Sequence, residues 1–493
     1  MRCIQYTTWA ADGEPVRREC ELPVTHEADE PKHLESGVIG LYPQMEYQTI
    51  EGFGGAMTES SAYLLSRMEE TERQRALGAF FGPDGNRLRF IRTHMDSCDF
   101  SLEEYQAVED PISDPELATF SLRRDRQYII PMIREAMRMN DAAGHEPLSV
   151  LLSPWSPPRQ WKTPPERPQN DAAVYGGSGH EEGSGGSQPS RCNGGSLRPE
   201  FYGPWAKYLA KYVLGYLEEG IPVTMMTLQN ESVAATNWDS CVWTAQEQKR
   251  FLKDYLYPEF RRTGLAEKID LFIWDHNKER MVEWAEQMID AETDTMIAGL
   301  AFHWYSGDHF EAVQLAHDAF PDKILMLSEC CGLHAPGQSS FWEGITGPTK
   351  TPMRAEEDDA RQYAHDMIGN LNGGMNRWID WNLCVDENGG PRHVPYGFTA
   401  GMIVQNGIFR TNMTYEYIAH FSRHIRPGAK RIGFSRCDDR VEAVAAKNPD
   451  GSIAVVLLNR TQEDGLYAFR VQGEIIRFAV PAGTISTLVI TDL

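Results

Sequence analysis

Two carboxylates stand where an apolar strand pattern runs out. Val223-Thr-Met-Met-Thr-Leu228 leans towards β-structure and leads directly into Gln229, Asn230 and Glu231. Further along, Ile324-Leu-Met-Leu-Ser328 leads into Glu329 in the same way. Polar side chains at the end of a buried strand are costly unless something engages them. Two carboxylates so placed can face each other across one pocket and cleave an acetal with no metal and no cofactor. One must be protonated to donate to the leaving oxygen, and the other ionised to attack or to activate water. Their surroundings divide the roles by pushing the two pKa values apart. Glu231 suits the acid, because Asn230 beside it is neutral and can hydrogen-bond a substrate hydroxyl. Glu329 suits the nucleophile, with Arg92, His303 and Tyr305 as donors to hold it ionised. A strand-end salt bridge is the plain alternative for either Glu alone, but the matched pair favours catalysis.

The other groups are weaker singly. Trp155 and Trp381 are candidates for stacking on a sugar ring, with core packing as the alternative. His303 and Tyr305 lie two apart on one strand and share a face. Asp275 and His276 offer a second acid/base pair that nothing orders against a nucleophile. Arg92 and Asp96 fall on one strand, where an internal ion pair is the plain reading. Ser328 lacks a G-x-S-x-G setting, which argues against a serine hydrolase. A lyase or aldolase would want a Schiff-base lysine or a metal cluster at the strand ends, and the pattern offers neither.

These residues need a scaffold that brings strand ends together. Gln48–Met57 reads as a strand ending in a tight turn. Its Gly52, Gly54 and Gly55 match only part of a dinucleotide fingerprint and better suit a barrel strand needing small residues. Strands then alternate with helices. A helix over 60–80 precedes the strand Arg87–His94, and a helix over 123–140 precedes Leu148–Ser153. Phe201–Glu219 is helical before the strand that ends at Glu231. Further strands are expected at Ile269–His276, Ala298–Tyr305, Ile324–Glu329 and Asn376–Leu383, with helices over 244–257, 279–289, 309–319 and 355–372. Eight strands between Gln48 and Leu383 are what a (β/α)8 TIM barrel requires, and such a barrel carries its chemistry at the strands' C-terminal ends. A doubly wound open sheet is the rival, but its nucleotide turn is missing. Residues 162–200 are rich in Gly, Ser and Pro, read equally as a specificity lid or a surface insertion. Short strands without helices follow residue 429. The expected fold is therefore α/β: residues 46–428 form the barrel, and residues 1–45 contribute strands to an all-β sandwich completed by residues 429–493.

Composition narrows the classes. The chain has 493 residues, 41% of them hydrophobic, enough for a large core. Its net charge of −24 repels polyphosphate and anionic lipid, which argues against nucleic-acid partners. No run of about 18 apolar residues could span a membrane. The nine cysteines are scattered, without the spacing of a zinc site, and no metal is expected. With no apolar stretch at Met1–Ala10 to resemble a signal peptide, a cytoplasmic setting is expected.

Several stretches resemble glycoside hydrolase family 30, the family of acid β-glucosylceramidase and bacterial β-1,6-glucanases. They are Gly52-Phe-Gly-Gly-Ala-Met-Thr58, Ser97-Cys-Asp-Phe-Ser101, Leu152-Ser-Pro-Trp-Ser156, Leu228-Gln-Asn-Glu231, Phe302-His-Trp-Tyr305, Ser328-Glu-Cys330 and Trp378-Ile-Asp-Trp-Asn-Leu383. The resemblance implies the same barrel and sandwich. It implies Glu231 as general acid/base and Glu329 as nucleophile of a retaining reaction. It also implies Asp99, Trp155, Asn230, Tyr305 and Trp381 around the sugar, with Arg92 and His303 near the nucleophile. Retention calls for carboxyl groups roughly 5–5.5 Å apart, inversion for roughly 6.5–9.5 Å. Ser232 stands where the family usually has Pro. The implied activity is hydrolysis of a β-glucoside or short β-glucan, without cofactor. A xyloside or fucoside substrate, or a non-catalytic carbohydrate-binding homologue, is the alternative.

Overall fold

The computed structural model describes the chain apart from residues 12–13, 27–36, 164–192, 237, 333–351 and 395–396, and the side chains of 352–355. Most of the 162–200 stretch thus lies outside the described residues. The first strands are β1 (Arg2–Ala11), β2 (Glu14–Leu22), β3 (Val24–His26) and β4 (Val38–Ile50). A closed parallel barrel follows: β5 (Gly52–Ala56), β6 (Phe90–Met95), β7 (Ser149–Pro154), β8 (Val223–Thr227), β9 (Asp270–Asn277), β10 (Gly299–His303), β11 (Ile324–Glu329) and β12 (Arg377–Asp380). Each strand pairs with the next in sequence, and β12 closes on β5. The fold expected from the strand–helix rhythm is the fold observed.

Alternation along the strands fills the barrel in layers. Phe90, Leu151, Met225, Phe272, Ala301, Met326 and Ile379 form one apolar cluster, one residue from each of seven strands. The eighth position is Gly54, where a Cβ would lie 2.5 Å from the Phe90 carbonyl oxygen. Two residues further on, the same face carries Arg92, Ser153, Thr227, His303, Ser328 and Trp381. The apolar layer is therefore a floor, and the polar layer above it opens towards the strand ends.

Helices wrap the barrel: α1 (Glu59–Ser66), α2 (Glu70–Phe81), α3 (Ile129–Ala142), α4 (Tyr202–Glu218), α5 (Ala245–Phe251), α6 (Tyr257–Thr263), α7 (Met281–Met288), α8 (Phe310–Ala319) and α9 (Pro352–Asn372). The helix expected over 60–80 is two, with α1 capped by the Thr58 side chain and closed at Arg67. After the barrel come a small sheet of β13 (Val385–Asp386), β14 (Met402–Gln405) and β15 (Ile408–Thr411), then α10 (Met413–Ser422). The sequence reading did not anticipate α10. All ten of its residues are buried, so it has no polar face to set a helical period.

The β-domain continues with β16 (Ala429–Ser435), β17 (Val441–Lys447), β18 (Ile453–Asn459), β19 (Gly465–Val471), β20 (Glu474–Val480) and β21 (Ile485–Thr491). Together with β1–β4 they make one ten-stranded sheet, ordered β2-β1-β21-β18-β17-β16-β4-β19-β20-β3. The sheet bends over its own core of Ile39, Leu41, Ala443, Ala445, Val455, Leu457, Phe469, Phe478 and Leu488. The intervening residues Val444, Ala446, Ala454, Val456 and Leu458 point the other way and join the barrel's hydrophobic core. One strand pair thus serves two interiors. Helix α10 completes the junction, with His420 bonded to Thr487 and Thr8 hydroxyls at 2.8 Å each.

Candidate active site

Backbone strain gathers at the C-terminal ends of the barrel strands. Asp96, Glu231, Trp274, Asp275 and Asn382 all have positive φ, from 46° to 75°. Such conformations cost of order 1–3 kcal/mol each for non-glycine residues, and they persist where surrounding contacts enforce them. At β9 the consequence is visible. Its register against β10 slips between Trp274 and His276, a bulge that leaves Asp275 unpaired with β10. The carboxylate of Asp275 ends wholly buried, bonded to Arg92, His303 and Ser328. A second slip lets β11 skip Ser328 and pair His303 with Glu329. The Glu231 turn is held by its own amide, which donates to the Asp275 carbonyl at 2.7 Å.

Arg92 is the hub. Its side chain is fully buried and donates to Glu329 Oε2 at 2.6 Å, Asn230 Oδ1 at 2.8 Å and Asp275 Oδ2 at 3.0 Å. It also reaches Ser153 Oγ and the Ser328 carbonyl, both at 3.1 Å. Its plane lies over Trp155 and Trp381, 4.9 and 5.5 Å from the ring centroids. Burial opposes the guanidinium charge, but Asp275 and Glu329 outweigh it and raise its pKa. The ion pair with Asp96 expected from their shared strand does not form. Asp96 instead accepts from the Tyr208 hydroxyl and the Ala107 amide. Burial pushes its carboxyl up to about 8.

His303 joins the two carboxylates that the sequence singled out. Its Nδ1 lies 3.2 Å from Glu231 Oε1, and its Nε2 lies 3.1 Å from Asp275 Oδ1 and 3.9 Å from Glu329 Oε2. Burial works against its charge, but Glu329, Asp275 and Glu231 raise it to about 9. For Glu231, burial would favour the neutral acid, yet His276 and His303 hold it below the usual carboxylate range. Glu231 Oε1 and His303 Nδ1 therefore share one proton that rests on the imidazole. Asp275 sits well below its ordinary value, because Arg92 and His303 overcome its burial.

Tyr305 donates to Glu329 Oε1 at 2.9 Å, so each oxygen of that carboxylate has its own donor. Burial keeps the phenol protonated far above neutrality. Trp155 and Trp381 are both 1% exposed and stack on each other, centroids 5.3 Å apart at 26°. Asp99 is buried nearby, and its Oδ1 has no hydrogen-bond partner among the described residues. Burial and the Glu329 charge push it up to about 8. Oδ1 is thus a buried polar atom left open, which calls for an explanation.

The site thus brings Arg92, Asn230, Glu231, His303, Tyr305 and Glu329 into one bonded network, with Asp99, Trp155 and Trp381 beside it. Sequence reasoning left Asp275 and His276 as an unordered pair. Asp275 is in fact the buried anchor of both cations, while His276 Nδ1 lies 3.6 Å from Glu231 Oε1. A further strap went unnoticed: Asp239 accepts from Ser97 at 2.9 Å and pairs with His393 at 3.1 Å. His393 lies beyond the last barrel strand, where no periodic pattern marks it. Two cations facing two carboxylates on either side of one imidazole, one carboxylate doubly hydrogen-bonded and one sharing a proton, can perform paired nucleophilic and acid/base chemistry.

Comparison with known proteins adds an independent line. The family model for the glycosyl hydrolase family 30 TIM-barrel domain matches residues 50–425, and that for its beta-sandwich domain matches residues 428–488. The chain is 29% identical over 466 residues to lysosomal acid glucosylceramidase of Mus musculus, covering 92% of this chain and 83% of the mouse protein. It is 24% identical over 430 residues to endo-1,6-beta-D-glucanase neg1 of Aspergillus fumigatus, covering 85% and 80% of the two chains. Among solved structures, SrfJ from Salmonella typhimurium superimposes with a TM-score of 0.85 at 31% identity, covering 100% of both chains.

Proposed function

The chain belongs to glycosyl hydrolase family 30, and from that premise we propose that it cleaves β-glucosidic bonds of β-glucosides or short β-glucans with retention of configuration. Glu329 is the nucleophile and Glu231 the acid/base. The observation that carries the assignment is the unequal setting of the two carboxylates around one imidazole. Glu329 is bonded through one oxygen to Arg92 and through the other to Tyr305, while Glu231 shares a proton with His303.

In the first step a Glu329 oxygen attacks the anomeric carbon and the bond to the leaving oxygen breaks. That oxygen takes the proton shared by Glu231 and His303, delivered through Glu231. In the glycosyl-enzyme, Glu329 is an ester and no longer charged. Having given its proton to the leaving oxygen, the Glu231–His303 pair is free to act as base, and loss of the Glu329 charge weakens the hold of His303 on a proton. Water then attacks the anomeric carbon, gives its proton to that pair and releases Glu329. Asn230, held by Arg92, and Asp99, with its free oxygen, are placed to hold sugar hydroxyls; Trp155 and Trp381 form an apolar wall.

The test is turnover on a panel of aryl β-glycosides beside Glu329→Gln, with the anomer of the first-formed sugar followed by NMR. Hydrolysis of β-glucosides with retention is expected, and the variant should lose at least about a thousandfold, as removal of covalent nucleophiles does elsewhere. Equal activity in both proteins, or an inverted product, would refute the assignment.

A further inference from the structure

The acid/base carboxylate faces two histidines. Glu231 Oε1 lies 3.2 Å from His303 Nδ1 and 3.6 Å from His276 Nδ1. One ligand atom from each of the three residues falls within 4.8 Å of the others. Zinc binds imidazole nitrogen and carboxylate oxygen at roughly 2.0–2.2 Å, so a tetrahedral ion sets neighbouring ligand atoms about 3.4 Å apart. The two edges at Glu231 Oε1, 3.2 and 3.6 Å, match that spacing, and the edge between the histidines is at most 4.8 Å.

Three further features suit a metal. His276 Nδ1 is buried without a hydrogen-bond partner among the described residues, and a buried polar atom left so calls for an explanation. His303 turns its other nitrogen to Asp275 at 3.1 Å, the carboxylate–histidine arrangement that orients metal-ligating imidazoles. The side chains of Glu231 and His276 are each 13% exposed, so the cluster lies near the mouth of the site. Two imidazoles with one carboxylate select a borderline cation such as zinc over magnesium, which prefers oxygen ligands.

We propose that Glu231, His276 and His303 form an inhibitory site for a divalent transition-metal cation, zinc foremost. The bound ion takes the Glu231 carboxylate as a ligand and withdraws the acid/base from the reaction. This rests on the role assigned to Glu231 in hydrolysis, but the binding event itself does not.

Calorimetric titration of metal-free enzyme with zinc chloride tests it, beside rates on an aryl β-glucoside in the same buffer. One zinc per chain should bind, with activity falling over the same concentration range and returning on addition of EDTA. Magnesium chloride at equal concentration should do neither. Glu231→Gln and His276→Asn should each weaken calorimetric binding at least about tenfold, and inhibition of His276→Asn is read against its own zinc-free rate. Cys437→Ser, which removes an exposed thiol, should bind as the wild type does. If His276→Asn does not fold, His276→Gln replaces it. Absence of binding, equal affinity in wild type and the His276 variant, or full activity at saturating zinc would overturn the proposal. An enzyme that binds zinc as expected but hydrolyses no glycoside would instead overturn the functional reading.

Discussion

Replacing Arg92 by Lys keeps the charge and removes the planar fork. Arg92 makes five hydrogen bonds, to Ser153, Ser328, Glu329, Asn230 and Asp275, from a side chain that is fully buried. An ammonium has three donors, so at least two of these acceptors lose Arg92. Ser153 Oγ keeps the Thr227 hydroxyl at 2.9 Å, so at least one buried acceptor is left unpaired, at a cost of about 1–3 kcal/mol. The charge will stay with Glu329 and Asp275, because separating two buried carboxylates from their cation costs more than losing a neutral acceptor. The expected casualty is therefore Asn230, released from its 2.8 Å bond and free to leave the place proposed for it beside the sugar. Misplacement of a positioning group by about 1 Å costs on the order of a hundredfold in rate. Arg92→Lys should thus lose about a hundredfold in kcat/KM on an aryl β-glucoside and unfold at lower denaturant. If kcat/KM stays within about threefold and the unfolding midpoint does not move, the hub reasoning is wrong.

Tyr305→Phe removes a 2.9 Å bond to Glu329 that the Cys331 thiol nearby cannot replace. Hydrogen bonds to charged groups are worth about 1.5–3 kcal/mol, so kcat/KM should fall about 10- to 150-fold, and a loss under about threefold would count against an orienting role. Asp96→Asn tests the raised carboxyl through stability. The unfolded group ionises near 3.8 and the folded one near 8, so its stabilising contribution is complete below about pH 4 and lost as pH rises towards 8. Denaturation midpoints at pH 4, 6 and 8 should show the variant gaining on the wild type with rising pH, and a constant difference would refute it. Asn suits the left-handed backbone at this position, where φ is 58°.

The barrel was legible because each buried strand reads as a short apolar run, and amphipathic helices separate the runs. The runs that end in Glu231 and Glu329 also revealed the paired carboxylates, since a charge closing a buried strand needs a reason. Asp275 was harder to place. Its inward direction depends on a bulge in β9 that shows only against the register of β10. The five contacts of Arg92, itself on β6, come from β7, β9, β11 (two of them) and the turn after β8, so no local spacing predicts them. Helix α10 escaped because burial on every side erased its period, and the β13–β15 sheet because its strands are only two to four residues long.

The position of β21 has a consequence for synthesis of the chain on the ribosome. It lies between β1 and β18, pairing Arg2 with Thr491 on one side and Ile453 with Ile490 on the other. The hairpin of β1 and β2 is translated before the whole barrel, yet its partner is the last strand described. Until that strand emerges, the pairing edge of β1 stays open, an invitation to wrong partners for as long as translation lasts. A ribosome stalled in the final segment would release a molecule whose catalytic barrel is made but whose opening strands have nowhere to dock.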